Sequence, residues 1–148
     1  MPSMAGRVIP MLGCVLAMAA CGASDSSKPL TTPQQQAAQA NLAARLTPIG
    51  DFAKGGQPCP AEYVCYTSLK AQPTTARGFA GMASGFGVPL SKSQCEAPFR
   101  TQGGRLFQHC MGYGRYAHWD VAVLLTVAGQ DSQGGQTQLA FAPLRSTQ

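Results

Sequence analysis

Residues 119–128 read WDVAVLLTVA, with Val121, Val123, Leu125 and Val127 at every second position. Side chains of an extended chain point alternately to opposite faces, so this spacing builds a β-strand with one continuous apolar face. Such a strand needs partners. Residues 136–144 supply one across the loop 129–135, with Leu139 and Phe141 on one face and Ala140 and Ala142 on the other. The small residues of that second face would let a helix pack closely against it. Residues 63–69, YVCYTSL, are aromatic and β-branched between turn-forming Pro and Gly and read as a further strand, as do residues 105–113.

Helical signals are fewer. Thr32-Pro33-Gln34-Gln35 looks like a helix start, with Thr as N-cap, Pro at the first helical position and Gln three places after the cap. The Ala, Gln and Leu residues that follow to Leu46 are good helix formers, but only Leu42 and Leu46 form an apolar stripe. This helix is either a spacer or a layer on the domain. Between the first two strands, residues 76–90 place Phe79, Met82 and Phe86 at helical spacing, interrupted by Gly78, Gly81, Gly85 and Gly87. Each glycine costs about 1 kcal/mol against Ala in a helix, so the segment is a short helix or a glycine-rich loop laid against the sheet. Its apolar residues serve either as core or as a binding surface. The expected fold class is α+β: a small, disulfide-braced antiparallel sheet with one or two short helices.

Upstream, Arg7 precedes an almost wholly apolar run over residues 8–20, too short for a membrane-spanning helix, which needs about 20 apolar residues. A polar, small-residue stretch follows, GASDSSK. At the seam stands Met18-Ala19-Ala20-Cys21, which resembles the lipobox of bacterial lipoprotein precursors, with Met18 in place of the usual Leu. The resemblance is confined to the N-terminus and implies cleavage before Cys21, whose thiol takes the lipid. Cys14 is the rival anchor, but residues 8–12 alone are too short for the apolar region of a signal. Gly22 stands where Asp commonly signals inner-membrane retention in such lipoproteins, which implies an outer-membrane anchor facing the periplasm. The expected organisation is a signal over residues 1–20, a tether with a short helix over 21–47 and a periplasmic domain over 48–148.

Cleavage before Cys21 leaves Cys59, Cys65, Cys95 and Cys110, an even set suited to two disulfides in an oxidising compartment. Pairing of near neighbours, Cys59 with Cys65 and Cys95 with Cys110, is expected; the rival joins Cys65 to Cys110 across adjacent strands. Two bridges worth about 2–4 kcal/mol each matter in a domain of this size.

Catalytic signals are weak. His118 and Asp120 fall on one face of a strand, where a carboxylate can orient an imidazole, but the nearby serines, Ser84 and Ser91, lie in no nucleophile motif. His109, His118 and Cys110 fall short of a zinc set, and a disulfide would remove Cys110. Gly112-Tyr113-Gly114-Arg115-Tyr116-Ala117 matches the G-x-G-x-x-A dinucleotide fingerprint, yet a β-type run follows where the phosphate-binding helix should start, so it reads as a turn. No catalytic residue, metal site or cofactor is assigned.

The formal charge of +5 falls to +4 once Arg7 leaves, with Lys92, Arg100, Arg105 and Arg115 against Glu96 in the middle of the chain. That bias suits phosphate-rich head groups or an acidic protein and is too weak for nucleic acid. Tyr113, Arg115, Tyr116 and Trp119 form the candidate partner-binding set, because Tyr, Trp and Arg combine large contact area with a polar handle. The expected partners are the membrane, through the lipid, and an envelope protein. The expected role is an assembly module, such as an accessory subunit of a secretion or pilus apparatus. The alternative is a periplasmic inhibitor or immunity protein of a cell-wall hydrolase or toxin, a layout broadly similar to that of bacterial lysozyme inhibitors.

Overall fold

The computed structural model describes residues 32–130 and 134–146. Its elements are α1 (Pro33–Arg45), β1 (Ala53–Lys54), β2 (Val64–Ser68), α2 (Ala76–Phe86), β3 (Leu90–Cys95), β4 (Phe99–Arg100), β5 (Arg105–Tyr116), β6 (Trp119–Gln130), β7 (Gly134–Phe141) and β8 (Arg145–Ser146). The strands form one antiparallel sheet in the order β1-β2-β7-β6-β5-β3, with β4 beside β5 and β8 beside β6. The fold is α+β, as expected, and Cys59–Cys65 and Cys95–Cys110 are the disulfides, so neighbours pair and Cys65 is not joined to Cys110. Among the described residues no helix is long and apolar enough to cross a membrane.

The sheet is built around the hairpin of β5 and β6, whose two-residue turn, Ala117-His118, sets Tyr116 opposite Trp119 and fixes every pair up to Arg105 opposite Gln130. Ala117 turns the chain with a φ of 53°. On β6 the alternation is realised strand-long: Trp119, Val121, Val123, Leu125 and Val127 are buried on one face. Leu139 and Phe141 of β7 and Tyr66 of β2 continue that face.

Both helices contribute to the core on this side. In α2, Thr75 caps the first turn by accepting from the Gly78 N–H at 3.0 Å. Gly87 ends the helix with a φ of 106°, a left-handed conformation that suits a residue without Cβ. Phe79 and Phe86 are fully buried, and Phe86 packs among Phe52, Tyr66 and Phe141 at 4.9–5.7 Å between ring centroids. The 76–90 segment is therefore a helix and core, with a strand starting at Leu90. In α1, Thr32 accepts from the Gln35 N–H at 3.1 Å, and Ala38, Leu42 and Leu46 join the same core. Gln39 secures the helix, its Oε1 accepting from the Leu144 N–H at 3.1 Å. The helix expected within the tether thus packs as part of the domain, ahead of the boundary expected at residue 48.

Two further expectations are corrected. Helix packing falls on the Leu139/Phe141 side of β7 and not on the Ala140/Ala142 side, where Ala140 pairs with Cys65 of β2. The big aromatic rings of α2 require large apolar partners, and those stand on the other face. The G-x-G-x-x-A match lies inside β5 and is no turn until Ala117. A Cβ on Gly112 would stand 2.5 Å from Leu90 Cδ1, and one on Gly114 2.6 Å from the Pro89 carbonyl oxygen. The glycines let β3 and its approach lie close against β5.

Candidate functional site

The hairpin register decides which side chains face away from the helices. Opposite residues of an antiparallel pair share a face, so Arg115, Tyr113, Met111, His109, Phe107 and Arg105 stand beside Asp120, Ala122, Leu124, Thr126, Ala128 and Gln130. The apolar residues of both helices join the core on the other face, and large apolar groups remain in solvent on this one: Tyr113 is 49% exposed, Phe99 49% and Met111 40%. Apolar side chains on the surface are ordinary when single, but Met111 and Tyr113 touch on one sheet face, with the Phe99 and Phe107 pair further along it, which makes the face a candidate interaction site.

The centre of the face is a trough with a small-residue floor. One hollow, of about 610 Å³, runs over Ala122, Leu124 and Ala142 between Tyr113 and Tyr63, with Gln35 of α1 and Arg145 of β8 at its border. A second, of about 460 Å³, lies between Glu96 and Thr126 beside the Cys95–Cys110 bridge. Met111 and Leu124 line both hollows and form the saddle between them. Tyr113 Oη donates to Met111 Sδ at 3.0 Å, which holds the two exposed side chains together.

Polar groups rim this floor. Arg115 Nε lies 3.6 Å from Asp120 Oδ1, and His109 Nδ1 lies 3.8 Å from Glu96 Oε2; all four side chains are more than half exposed. Lys92 of β3 stands opposite Tyr113, and Arg145 opposite Asp120. At the far end Phe99 stacks on Phe107 at 5.9 Å, and the Arg105 guanidinium sits 5.4 Å over the Phe107 ring, a cation–π arrangement.

The four candidate partner-binding residues divide between two faces. Tyr113 and Arg115 border the trough, whereas Tyr116 and Trp119 stand opposite each other on the core side, with Trp119 only 8% exposed. Sequence reasoning missed Met111, Ala122, Leu124, Phe99 and Phe107. The available signal was the spacing Tyr116-Ala117-His118-Trp119: a two-residue hairpin turn there fixes the register and sorts both strands into faces.

The sequence-level catalytic arrangements find no geometry. Asp120 faces Arg115, while the His118 ring lies in the turn, 5.1 Å from that of Trp119. Ser91 Oγ donates to the Tyr113 carbonyl at 3.1 Å. Cys110 is bonded to Cys95, and among the described residues no three His, Cys, Asp or Glu side chains cluster as metal ligands. Away from the trough, Asp51 is the one carboxyl among the described residues with a clear shift. The Ser68 hydroxyl, buried and without a hydrogen bond of standard length, attracts its charged form, and Lys70 Nζ at 3.4 Å adds to this, so its pKa falls below the ordinary value. Cys21, the expected lipidation site, lies outside the described residues. No known protein family, curated protein or solved structure matches the chain.

Proposed function

We propose that this chain is a lipid-anchored binding module of the bacterial envelope, held at the outer membrane through Cys21 and facing the periplasm, where it serves as an accessory subunit of a secretion or pilus apparatus. The observation that carries the binding role is the asymmetry of the β5–β6 hairpin: its core face is buried together with apolar residues of α1 and α2, and its other face presents Met111 and Tyr113 to solvent at a trough, with Phe99 further along. Water gains from the removal of such a surface by about 25 cal/mol for each Å² covered, which makes it a site for association.

The anchor rests on Met18-Ala19-Ala20-Cys21 and on the even cysteine set beyond it. With α1 packed into the domain, eleven residue steps lead from Cys21 to Thr32 at the start of α1, a reach of at most ~40 Å. The module would therefore meet its partner close to the membrane face. The shape of the site favours assembly over the inhibitor reading. A plug for an active-site cleft needs a protruding element, whereas the open face is hollowed and suits receipt of a segment from elsewhere.

Two measurements test this. Globomycin treatment followed by mass measurement of the N-terminal peptide reports whether Cys21 is the acylated first residue; a different N-terminus or a peptide without fatty acid removes the anchor. Co-purification from detergent extracts is expected to bring down a multi-protein envelope complex, and a single stoichiometric hydrolase would establish the inhibitor role instead.

A further inference from the structure

We infer that the trough receives an apolar peptide segment of the partner flanked by acidic side chains, seated across the Met111–Leu124 saddle with one apolar anchor in each hollow. This deepens the proposed function and rests on its assignment of the open face as the binding surface. Three observations define the occupant.

The first is the floor. Ala122 and Ala142 leave depth under the first hollow, Leu124 and Met111 separate it from the second, and the volumes of about 610 and 460 Å³ suit bulky aliphatic or aromatic anchors. Methionine, unbranched and polarisable, adapts to irregular apolar partners, so Met111 at the saddle can fit side chains on either side. The second is the form of the site. A bilayer surface is flat on this scale and would leave both hollows unfilled, whereas a peptide places separate side chains into separate depressions.

The third is charge. On the rim, Asp120 is answered by Arg115, and Glu96 lies beside His109 as a carboxylate of the second hollow. Lys92, Arg105 and Arg145 remain on the open face, with Glu62 the further carboxylate at the first hollow. The chain as a whole carries eleven Lys and Arg against six Asp and Glu. Acidic groups on either side of the apolar anchors complement this surplus, speed encounter and fix register, while the buried anchors supply the affinity.

The test places a photo-crosslinking amino acid at Ala122 in the full chain expressed in cells and sequences the crosslinked adduct. The expected adduct is a protein segment that is apolar with net negative charge, and Arg115→Glu combined with Arg145→Glu lowers its yield at least fivefold at an unchanged melting temperature. An adduct on phospholipid, on a second copy of this chain or on a basic segment overturns the inference, as does no adduct at all. The same crosslinker at Leu69, 81% exposed and outside the trough, separates the failures. An envelope partner trapped from Leu69 but not from Ala122 refutes the trough while leaving the binding role intact, and absence from both positions removes that role as well.

Discussion

Gln108 and Thr74 exchange two hydrogen bonds across the core face: Gln108 Nε2 donates to the Thr74 carbonyl at 2.7 Å, and the Thr74 N–H donates to Gln108 Oε1 at 2.8 Å. The second Nε2 hydrogen reaches the Glu96 carbonyl at 2.9 Å. One amide, 1% exposed, thereby satisfies the backbone before α2 and the backbone after β3. Replacement by Leu keeps the volume and strands three backbone groups. Gln108→Leu is expected to destabilise the domain by about 2–4 kcal/mol, read from urea unfolding, because each buried unsatisfied polar group costs about 1–3 kcal/mol.

Gly112 tests the close approach of α2 and β3 to the sheet. A Cβ there would lie 3.0 Å from Phe79 Cε1 and 2.5 Å from Leu90 Cδ1, and Phe79 is fully buried with no room to retreat. Gly112→Ala is expected to lower stability by about 1–3 kcal/mol through overpacking, measured as a reduced midpoint of urea unfolding. An unchanged midpoint would show that Leu90 swings aside freely.

The four aromatic and Arg residues first grouped as a partner-binding set should separate by face. Tyr113→Ala and Met111→Ala remove exposed side chains and are expected to leave stability within about 0.5 kcal/mol while reducing partner capture. Trp119→Ala empties a core position and is expected to cost about 3–5 kcal/mol. Thermal melting alongside co-purification distinguishes the two outcomes.

The disulfides should contribute unequally. Cys95–Cys110 closes a separation of 15 residues and Cys59–Cys65 one of 6. Loop-closure entropy assigns about 3 kcal/mol to the longer loop and about 2 kcal/mol to the shorter. Paired Cys→Ser substitutions, compared by denaturant titration, should therefore show the larger loss for Cys95 with Cys110.

Asp51 predicts a pH dependence. Its folded pKa lies below the ordinary value of 3.8, through attraction to the Ser68 hydroxyl and Lys70, so the charged form stabilises the fold. That contribution is present in full above pH 3.8 and is lost as pH falls through the lower, folded value. Asp51→Asn should melt below the unsubstituted protein at neutral pH, and the difference should vanish in strong acid.

Local chemistry was enough to read much of this molecule. Period-two spacing at 119–128 marks β6, Thr32-Pro33 marks the start of α1, and two pairs of near-neighbour cysteines suggest their bridges, because each signal depends on residues close in the chain. β3 escaped the same reading: its sequence, LSKSQC, lacks an apolar run, and it forms because β5 offers it a ladder and α2 covers Leu90 and Ser93. The candidate site was likewise beyond local reach. Alternation divides a strand into two faces but does not say which of them the helices will cover. That depended on where Phe79, Phe86 and Leu42 found large apolar partners, and on the hairpin register that turned Trp119 inward and Tyr113 outward. The sequence by itself marked the long strands and the start of α1 and favoured the near-neighbour crosslinks; only the tertiary packing decided which face stayed open, since burial is a property of contacts between residues far apart in the chain.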